Sequence, residues 1–527
     1  MRDEHCWDMR ADGDLVMKIS RSQSRAVRVG LGGACAAVAL GMLSGCNVGP
    51  KYVPPATTAP AAYKETPQNF KETGGWTVAQ PQDAALRGKW WEIFNEPELN
   101  ALEEQLNVDN QNIRESFESY MEARALVRET RSQLFPTVGL GASYTRSQSS
   151  STVGSGAAAG AAVGQQSQVF SLPGEVSWEP DLWGKVRNAI KSSQYTAQVT
   201  AADLANERLA EQASLAEYYF EIRGQDALQA IVDQIVVVDK HGVEVEQARY
   251  DTGVDDQISL VNTQITLESA QTAATNLKIA RAQFEHAIAM LVGKPASGFS
   301  IPVLAKTSAP PPIPVGLPSQ LLERRPDVAA AERTMASANA QIGIAYAAYY
   351  PTLTLSASGG VESSAIKNLF DAASRFWSAG PSLSETVYDG GLRRATVNQY
   401  IATYNADLAA YRQSVLTAFQ QVEDALAEVR VLSQEIAQQQ AVIDSSQKAL
   451  DIEQGRYDSG IDPFTDVVTA QASLLTTKEQ LASLQVQQMS ASVALVEALG
   501  GGWDQTQLPT PAQVTEKPTA AETTIQH

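Results

Sequence analysis

The sequence predicts a membrane protein of the α+β class, in which long coiled-coil helices continue from a small set of membrane strands. Three observations support this prediction: an internal duplication, two helical patterns of about 65 residues, and four strand patterns that each carry one apolar face. Because one structural unit occurs twice in the 527 residues, we expect a single two-lobed body instead of several domains.

The duplication is clearest in two short turns. The stretch Arg249 to Asp256 (RYDTGVDD) recurs as Arg456 to Pro463 (RYDSGIDP), 207 positions later. Each copy follows one long helical pattern and precedes another. Gly253 and Gly460 stand where a left-handed backbone conformation ends a helix, because glycine adopts that conformation without strain. We therefore predict a tight helix-to-helix turn at each copy, with the adjoining helices packed as coiled coils.

The start of the second helix after each turn is also predicted. Asp462 followed by Pro463 is typical of an N-cap residue with proline at the first helical position, and Asp256 is a candidate N-cap after the first turn. A second landmark repeats in the same order, since Pro136-Thr137 recurs as Pro351-Thr352 at the start of a strand pattern.

The N-terminal region resembles a bacterial export signal. Four basic residues between Lys18 and Arg28 precede the apolar run Val29 to Leu43, and we predict that translation starts at Met17 and that residues 1–45 are removed. An α-helix needs about 20 apolar residues to cross a bilayer, so the run is too short for a membrane span.

The apolar run ends in the tetrapeptide LSGC, which resembles the bacterial lipoprotein signal. We predict that Cys46 becomes the acylated first residue of the mature chain, held on the membrane by its acyl groups. Asn47 in the following position resembles lipoproteins that are sorted to the outer membrane. The other two cysteines, Cys6 and Cys35, lie in the removed segment, which excludes a disulfide framework.

The rest of the chain divides by composition and by the repeat. The predicted organisation is a lipidated, extended N-terminal tether over 46–85, a first repeat over 86–301, a Pro-rich linker over 302–318, a second repeat over 319–503 and a disordered tail over 504–527.

Each repeat contains two strand patterns with alternating apolar and polar residues. The apolar positions are Val138, Leu140, Ala142 and Tyr144, then Phe170, Leu172, Val176 and Trp178, and in the second repeat Leu353, Leu355 and Ala357, then Trp377, Ala379, Pro381 and Leu383. Tilted strands of about 9 to 11 residues cross a bilayer, and membrane barrels need about eight or more strands, so several chains would share one barrel. A half-buried soluble hairpin has the same alternation, so both interpretations stay open on this evidence.

Composition and missing motifs exclude several classes of function. The formal net charge is −19, and no basic stripe offsets it, which speaks against a nucleic-acid partner. We find no phosphate-binding glycine loop, no nucleophile turn and no paired metal-ligand spacing, so we expect neither an enzyme nor a bound cofactor or metal. His241 and His286 each stand alone in a helical pattern, which favours packed or exposed histidines over ligands.

Several motifs together resemble the TolC/OprM outer-membrane factor family, and more narrowly its lipoprotein, NodT-like branch. The most specific stretch is Leu321 to Val328 (LLERRPDV). Trp90-Trp91, Asp181 to Lys185 (DLWGK) and Ala498 to Trp503 (ALGGGW) agree with the family in the same order. The resemblance covers about residues 46–503.

The resemblance implies a homotrimer in which four strands per chain form a 12-stranded barrel in outer-membrane lipid, and the helices form a long tunnel across the periplasm. It implies a passive exit channel that receives substrates from an inner-membrane pump, of the RND type, through a periplasmic adaptor protein. The adaptor would meet the two turns, at Gly253 and Gly460 with the neighbouring Arg249 and Arg456.

The resemblance also implies a gate at the turns. Asp466 occupies the position of an acidic constriction ring in TolC-like channels, whereas Ser259 stands at the matching place in the first repeat. Asp462, Asp255 and Asp256 lie nearer the turns and would add cation affinity, although helix capping is the alternative role for Asp462 and Asp256. Tyr250 and Tyr457 match the tip tyrosine that helps to hold neighbouring helices together in the family.

Two other functions remain as alternatives. Within the channel class, the chain could serve type I protein secretion instead of pump-driven efflux. Outside that class, a periplasmic coiled-coil scaffold tethered by Cys46 would have the same helices, with the strands forming a small soluble sheet.

Overall fold

The computed structural model describes residues 47–55, 59–60, 63–65, 88–148, 166–305, 309–313 and 318–517. The helices are α1 (Pro97–Asp109), α2 (Gln111–Ser132), α3 (Lys185–Asp251), α4 (Gln257–Leu291), α5 (Pro318–Arg324), α6 (Pro326–Ala347), α7 (Leu392–Asp458), α8 (Phe464–Ala498) and α9 (Pro511–Thr515). The strands are β1 (Thr137–Leu140), β2 (Ser143–Gln148), β3 (Gln166–Trp178), β4 (Thr352–Ser363) and β5 (Arg375–Ser384).

The order of elements repeats, as the duplication predicts. A 22-residue helix leads into strands in both halves, as α2 and α6. A 67-residue helix follows, as α3 and α7, and a tight turn joins it to a 35-residue helix, as α4 and α8. At 1.5 Å per residue each long helix extends for roughly 100 Å, which agrees with the length that the sequence pattern predicts.

The two helical hairpins pack against each other along their length. The long helix α3 contacts α4, α6 and α8, and α7 contacts α8 and α6. Gly224 lets α3 approach α8 closely, since a methyl group at this position would lie 2.2 Å from Cγ2 of Val486. A glycine inside a helix costs about 1 kcal/mol relative to alanine, and the close approach is the reason for it here.

Both long helices begin in the same way. The residue before each helix is a glycine in the left-handed region, Gly184 at φ +81° and Gly391 at φ +92°. Asp181 accepts hydrogen bonds from the first amides of α3 and from the Nε of Arg187 at 3.1 Å. Asp389 binds the start of α7 through the amide of Gly391 and the guanidinium of Arg393. An acidic residue here suits the positive end of the helix dipole.

The strands form one antiparallel sheet in which β1 and β2 both pair with β3, β3 pairs with β4, and β4 pairs with β5. The register aligns the apolar residues in rows: Val138 is opposite Val176, which is opposite Ala357, which is opposite Ala379. Thr354 lies next to Leu355 in β4, and its side chain belongs to a polar row on the opposite face of the sheet. The apolar face is exposed in the single chain, with Leu140 at 91% and Trp377 at 82%, unlike the inner face of a soluble sheet.

The first predicted strand is interrupted between β1 and β2, at Gly141 and Ala142. Opposite this gap lies Pro173 in β3, which has no N–H to donate to the ladder. The carbonyl of Pro173 still accepts the amide of Gly141 at 2.8 Å. The two residues of the gap face two residues of β3. The side chains of β1 and β2 therefore keep the same alternation between the two faces of the sheet.

The main hydrophobic core lies where the helices of both repeats meet, beside a short 3-10 helix at Trp90–Phe94. The carboxyl group of Glu103 is buried in this region. Glu103 is 0% exposed, and neither of its carboxylate oxygens has a hydrogen-bond partner within the described part of the chain. Burial, and then the neighbouring Glu104, raise the pKa of Glu103 well above its usual range, because burial disfavours the charged form.

The described parts of the tether have neither helix nor strand, but they are packed, which corrects the expectation of a free extended segment. The carbonyl of Val48 accepts a hydrogen bond from Asn188 at 3.1 Å, beside the start of α3. Tyr63 is 3% exposed, and the amides of Lys64 and Glu65 both donate to the carboxylate of Glu423 on α7. Glycines at close-approach positions leave room for the tether, which composition alone does not reveal.

The disordered tail predicted over 504–527 is wrong for 504–517. The helix α9 begins with a capping box at Thr510, and its residue Val514 is 0% exposed against Val127 and Ala197. The guanidinium of Arg124 on α2 donates to the carbonyls of Gln513 at 3.3 Å and of Glu516 at 3.1 Å. Polar composition does not reveal these contacts. Gln194 and Gln198 on α3 add further hydrogen bonds, to the carbonyls of Pro511 and Pro509. Residues 518–527 lie outside the described chain.

Among the helices that the structure describes, none is long and apolar enough to cross a membrane.

Candidate functional site

The first turn joins α3 to α4 through a left-handed glycine. Gly253 has φ +74°, and its amide donates to the carbonyl of Tyr250 at 2.9 Å. The amide of Val254 reaches back to the carbonyl of Arg249 at 2.9 Å. This pair of hydrogen bonds satisfies the last free carbonyls of α3, and the positive φ explains why glycine stands here.

The second turn, between α7 and α8, has the same geometry. Gly460 also has φ +74°, with its amide 2.8 Å from the carbonyl of Tyr457, and the amide of Ile461 lies 2.9 Å from the carbonyl of Arg456. The predicted turns are therefore both present, and they share one hydrogen-bond pattern across the duplication.

The helices after the two turns start differently, which corrects one prediction. Asp256 is the N-cap of α4, as predicted, and accepts a hydrogen bond from the amide of Ser259 at 2.9 Å. That hydrogen bond lowers the pKa of Asp256. The helix α8 begins at Phe464, with Pro463 in the N-cap position and no capping side chain, so Asp462 is not the N-cap. The carboxylate of Asp462 instead accepts a hydrogen bond from Arg456.

Each turn is instead closed by an arginine that binds the aspartate just past the glycine. Arg249 places both Nε and Nη2 at 2.7 Å from Oδ2 of Asp255. Arg456 forms the matching hydrogen bond to Asp462, which raises the pKa of the arginine and lowers that of the aspartate. We call these two pairs the Arg–Asp clasps. Both guanidinium groups that we expected at the adaptor contact are thus engaged within their own turns.

A second carboxylate joins each clasp from the long helix. Glu246 is 2% exposed, and it lies 3.8 Å from Nε of Arg249. Burial, and then the neighbouring Asp255, raise the pKa of Glu246. In the second repeat Glu453 lies 3.9 Å from Arg456. We missed both glutamates, although their 207-residue separation is visible once the two copies are aligned.

The second turn carries an additional acidic group. Oxygen atoms of Glu453, Asp462 and Asp466 lie within 4.8 Å of one another, close enough for the three to hold a metal ion. Asp466 is exposed, whereas Arg456 already neutralises part of this cluster. Ser259 stands at the matching place in the first repeat, so this position carries a carboxylate at only one of the two turns.

The two predicted tyrosines differ in their surroundings. Tyr250 is 40% exposed at the first turn. The ring of Tyr457 packs on Phe464 with 5.1 Å between ring centres, and Phe464 in turn contacts His241 on α3. Sequence reasoning missed Phe464 as a site residue, and the helical pattern alone contains no signal that distinguishes it from an ordinary seam residue.

Cys46, the predicted lipidation site, lies outside the described residues. The described chain starts at the next position, and the amide of Val48 donates to the carbonyl of Trp183 at 3.2 Å, where β3 ends and α3 begins.

Comparison with known proteins identifies the class to which this fold and these turns belong. Residues 102–294 and 317–501 match the family described as outer membrane efflux protein. OprJ, an outer membrane protein of Pseudomonas aeruginosa, is 30% identical over 473 residues, which cover 88% of this chain and 94% of OprJ. The solvent efflux pump outer membrane protein SrpC of Pseudomonas putida is 28% identical over 89% of this chain and 98% of SrpC.

A solved structure agrees with these sequence matches. The outer-membrane channel OprN matches with a TM-score of 0.76 and 28% identity, over 87% of this chain and 100% of OprN. The chain belongs to the outer membrane efflux protein family, which confirms the predicted resemblance. It is an outer-membrane exit channel of tripartite efflux that extends into the periplasm, and its relatives are channel or efflux proteins, not enzymes.

Proposed function

We propose that three copies of the chain share one 12-stranded barrel in the outer membrane and that their helices form one tunnel, through which substrates pass without any chemistry by the protein. The observation that supports this most strongly is the sheet. Its four-strand width ends at β1 and β2 on one side and at β5 on the other, and its apolar face is exposed. Lipid cannot satisfy the backbone groups of an open strand edge, so the edges require neighbouring copies.

The substrates would arrive from an inner-membrane pump of the RND type through a periplasmic adaptor that touches the two turns around Gly253 and Gly460. The exposed residues next to these glycines, Val254 at 66% and Ile461 at 67%, offer two matching apolar contacts. Since Arg249 and Arg456 are engaged in the clasps, their contribution would be to hold these turns in shape for the adaptor.

The gate is proposed at the second turn. In a trimer Asp466 would occur three times around the axis, and with Asp462 and the Asp255-Asp256 pair it would attract cations. The packing of Tyr457, together with Tyr250, would keep the end closed.

The anchor is proposed at Cys46, whose acyl groups would hold the mature chain on the membrane. Labelled palmitate should enter the wild-type protein and be absent from Cys46→Ser. Palmitate on the Cys46→Ser variant, or a mature chain that retains the segment from Met17, would overturn this assignment.

Two measurements test the channel and its gate. The purified protein should have the mass of a trimer in detergent and should migrate differently on gels after heating.

In planar bilayers, Asp466→Asn should weaken cation selectivity and Tyr457→Ala should raise the resting conductance. Asp444→Asn, which removes an exposed charge from α7 at a distance from the turn, is the matched control. If selectivity survives the first change and conductance the second, the gate lies elsewhere.

A further inference from the structure

The two helical hairpins approach each other closely just above the turns. Gly242 is buried on α3, and a methyl group at this position would lie 3.3 Å from Cγ2 of Val468 on α8. The neighbouring Val467 is 2% exposed. Glycine inside a helix is unfavourable unless a neighbour needs the space, so this position marks a contact between the first repeat and the second.

An aromatic chain crosses the same contact. The ring of His241 on α3 meets Phe464 edge to face, with ring centres 5.5 Å apart and an angle of 84° between the planes. Phe464 is the first residue of α8 and packs on Tyr457, the last tyrosine of α7, at 5.1 Å and 60°. These are the tilted arrangements that aromatic pairs prefer. The second turn is therefore tied to the long helix of the first repeat through two ring contacts.

We propose that His241, Phe464 and Tyr457 form an aromatic latch that holds the second turn against the first hairpin and so keeps the periplasmic end closed. This inference rests on the proposed gate. His241 and Phe464 would act in that gate by positioning Tyr457. In this proposal the end opens when the second hairpin moves away from the first, because that movement separates His241 from Phe464.

The surroundings of His241 are consistent with this role. Its side chain is 64% exposed, and its Nδ1 lies 3.6 Å from Oε2 of Glu244 on the same helix, while the ring contacts Phe464. Asp462 and Asp466 flank Phe464 in the chain. Arg456 binds the first of these carboxylates and the second is exposed, so neither charge has to enter the ring contact.

Alanine variants with a rescue variant provide the first test. His241→Ala and Phe464→Ala should each raise the open fraction of single channels by about two- to tenfold, the range that one aromatic pair supports. They should also admit a large antibiotic such as vancomycin into cells. His241→Phe should restore the closed state, because a ring is retained. His286→Ala, which removes the histidine far along the same hairpin, should change nothing.

Two outcomes would overturn the latch while leaving the channel intact. One is an open fraction for His241→Ala equal to that of the wild type, and the other is a His241→Phe variant as leaky as the alanine variant. If the wild-type protein forms no channel at all, the proposed function itself fails, and the two failures are thereby distinguished.

A reversible cross-link provides the second test. Downstream of Cys46 the chain contains no cysteine, so His241→Cys combined with Phe464→Cys introduces a single pair. Oxidation should lock the turn and lower both the open fraction and drug efflux, and a reductant should restore them. A fully formed cross-link with unchanged efflux would show that the two hairpins need not separate here, and the latch would be rejected.

Discussion

Arg249 and Asp255 close the first turn with two N–H donors at 2.7 Å from one carboxylate oxygen, and Arg456 and Asp462 form the same pair in the second repeat. The two clasps therefore repeat at matching positions of the duplication. Each clasp spans a glycine with positive φ, so it offsets the conformational freedom that the glycine brings to the turn.

We predict that Arg249→Ala weakens the first turn by about 0.5–1 kcal/mol, the usual contribution of a partly exposed ion pair. Hydrogen exchange at the amide of Val254 should then be about two- to fivefold faster. The exchange rate in Arg249→Lys should fall between those of the wild type and Arg249→Ala, because lysine keeps the charge and loses the paired donors. Lys240→Ala is the control on the same helix, and equal exchange in Arg249→Ala and wild type would show that the clasp contributes nothing.

The register of the sheet makes a sharp prediction for the membrane strands. Leu355 lies in the apolar row opposite Trp178, so Leu355→Arg should cost about 2–4 kcal/mol near the bilayer midplane. Thr354→Arg, one residue away in the polar row, should be milder. The yield of the heat-modifiable trimer and its unfolding in urea measure both. Equal damage from the two variants would argue against lipid on the apolar face.

The C-terminal helix α9 should depend on its one buried side chain. Val514→Ala removes buried methyl groups from the contact with Val127 and Ala197 and should weaken the docking of the segment by about 1–3 kcal/mol. Limited proteolysis should then cut the region 504–517 faster. Ala512→Ser, an exposed change in the same helix, should leave the rate unaltered. Equal protection of Val514→Ala and wild type would mean that the hydrogen bonds from Arg124, Gln194 and Gln198 hold the segment without Val514.

Glu103 predicts a pH dependence of stability. Because its pKa is raised in the folded state, folding costs nothing extra while the side chain is protonated in both states, below the ordinary value of 4.5. Above that pH the unfolded chain releases the proton and the folded chain retains it, so stability falls as pH rises towards the folded pKa.

The variant Glu103→Gln stays neutral at every pH. Its stability advantage over the wild type should therefore be larger at pH 8 than at pH 4. Urea unfolding at the two pH values measures this. Glu118→Gln, which removes an exposed carboxyl group from α2, should show no such trend. A pH-independent difference for Glu103→Gln would mean that the buried carboxyl does not titrate as inferred.

The sequence by itself determined the duplication, the lengths of the long helices, the two turns and the alternating faces of the strands. These features depend on local chemistry: helical and strand periods, and glycine at a backbone conformation that other residues avoid. Gly253 and Gly460 have the same φ for this reason, and Leu355 and Thr354 lie on opposite faces because strand side chains alternate.

Only the tertiary structure decided which partner each polar or aromatic group finds. We predicted both Asp256 and Asp462 as N-caps, but Asp256 caps α4 whereas Asp462, which aligns with Asp255, binds Arg456. The buried Val514 and the contact between His241 and Phe464 join segments that are hundreds of residues apart in the chain. Such contacts depend on how the helices are brought together in space, and no local pattern of residues encodes that arrangement.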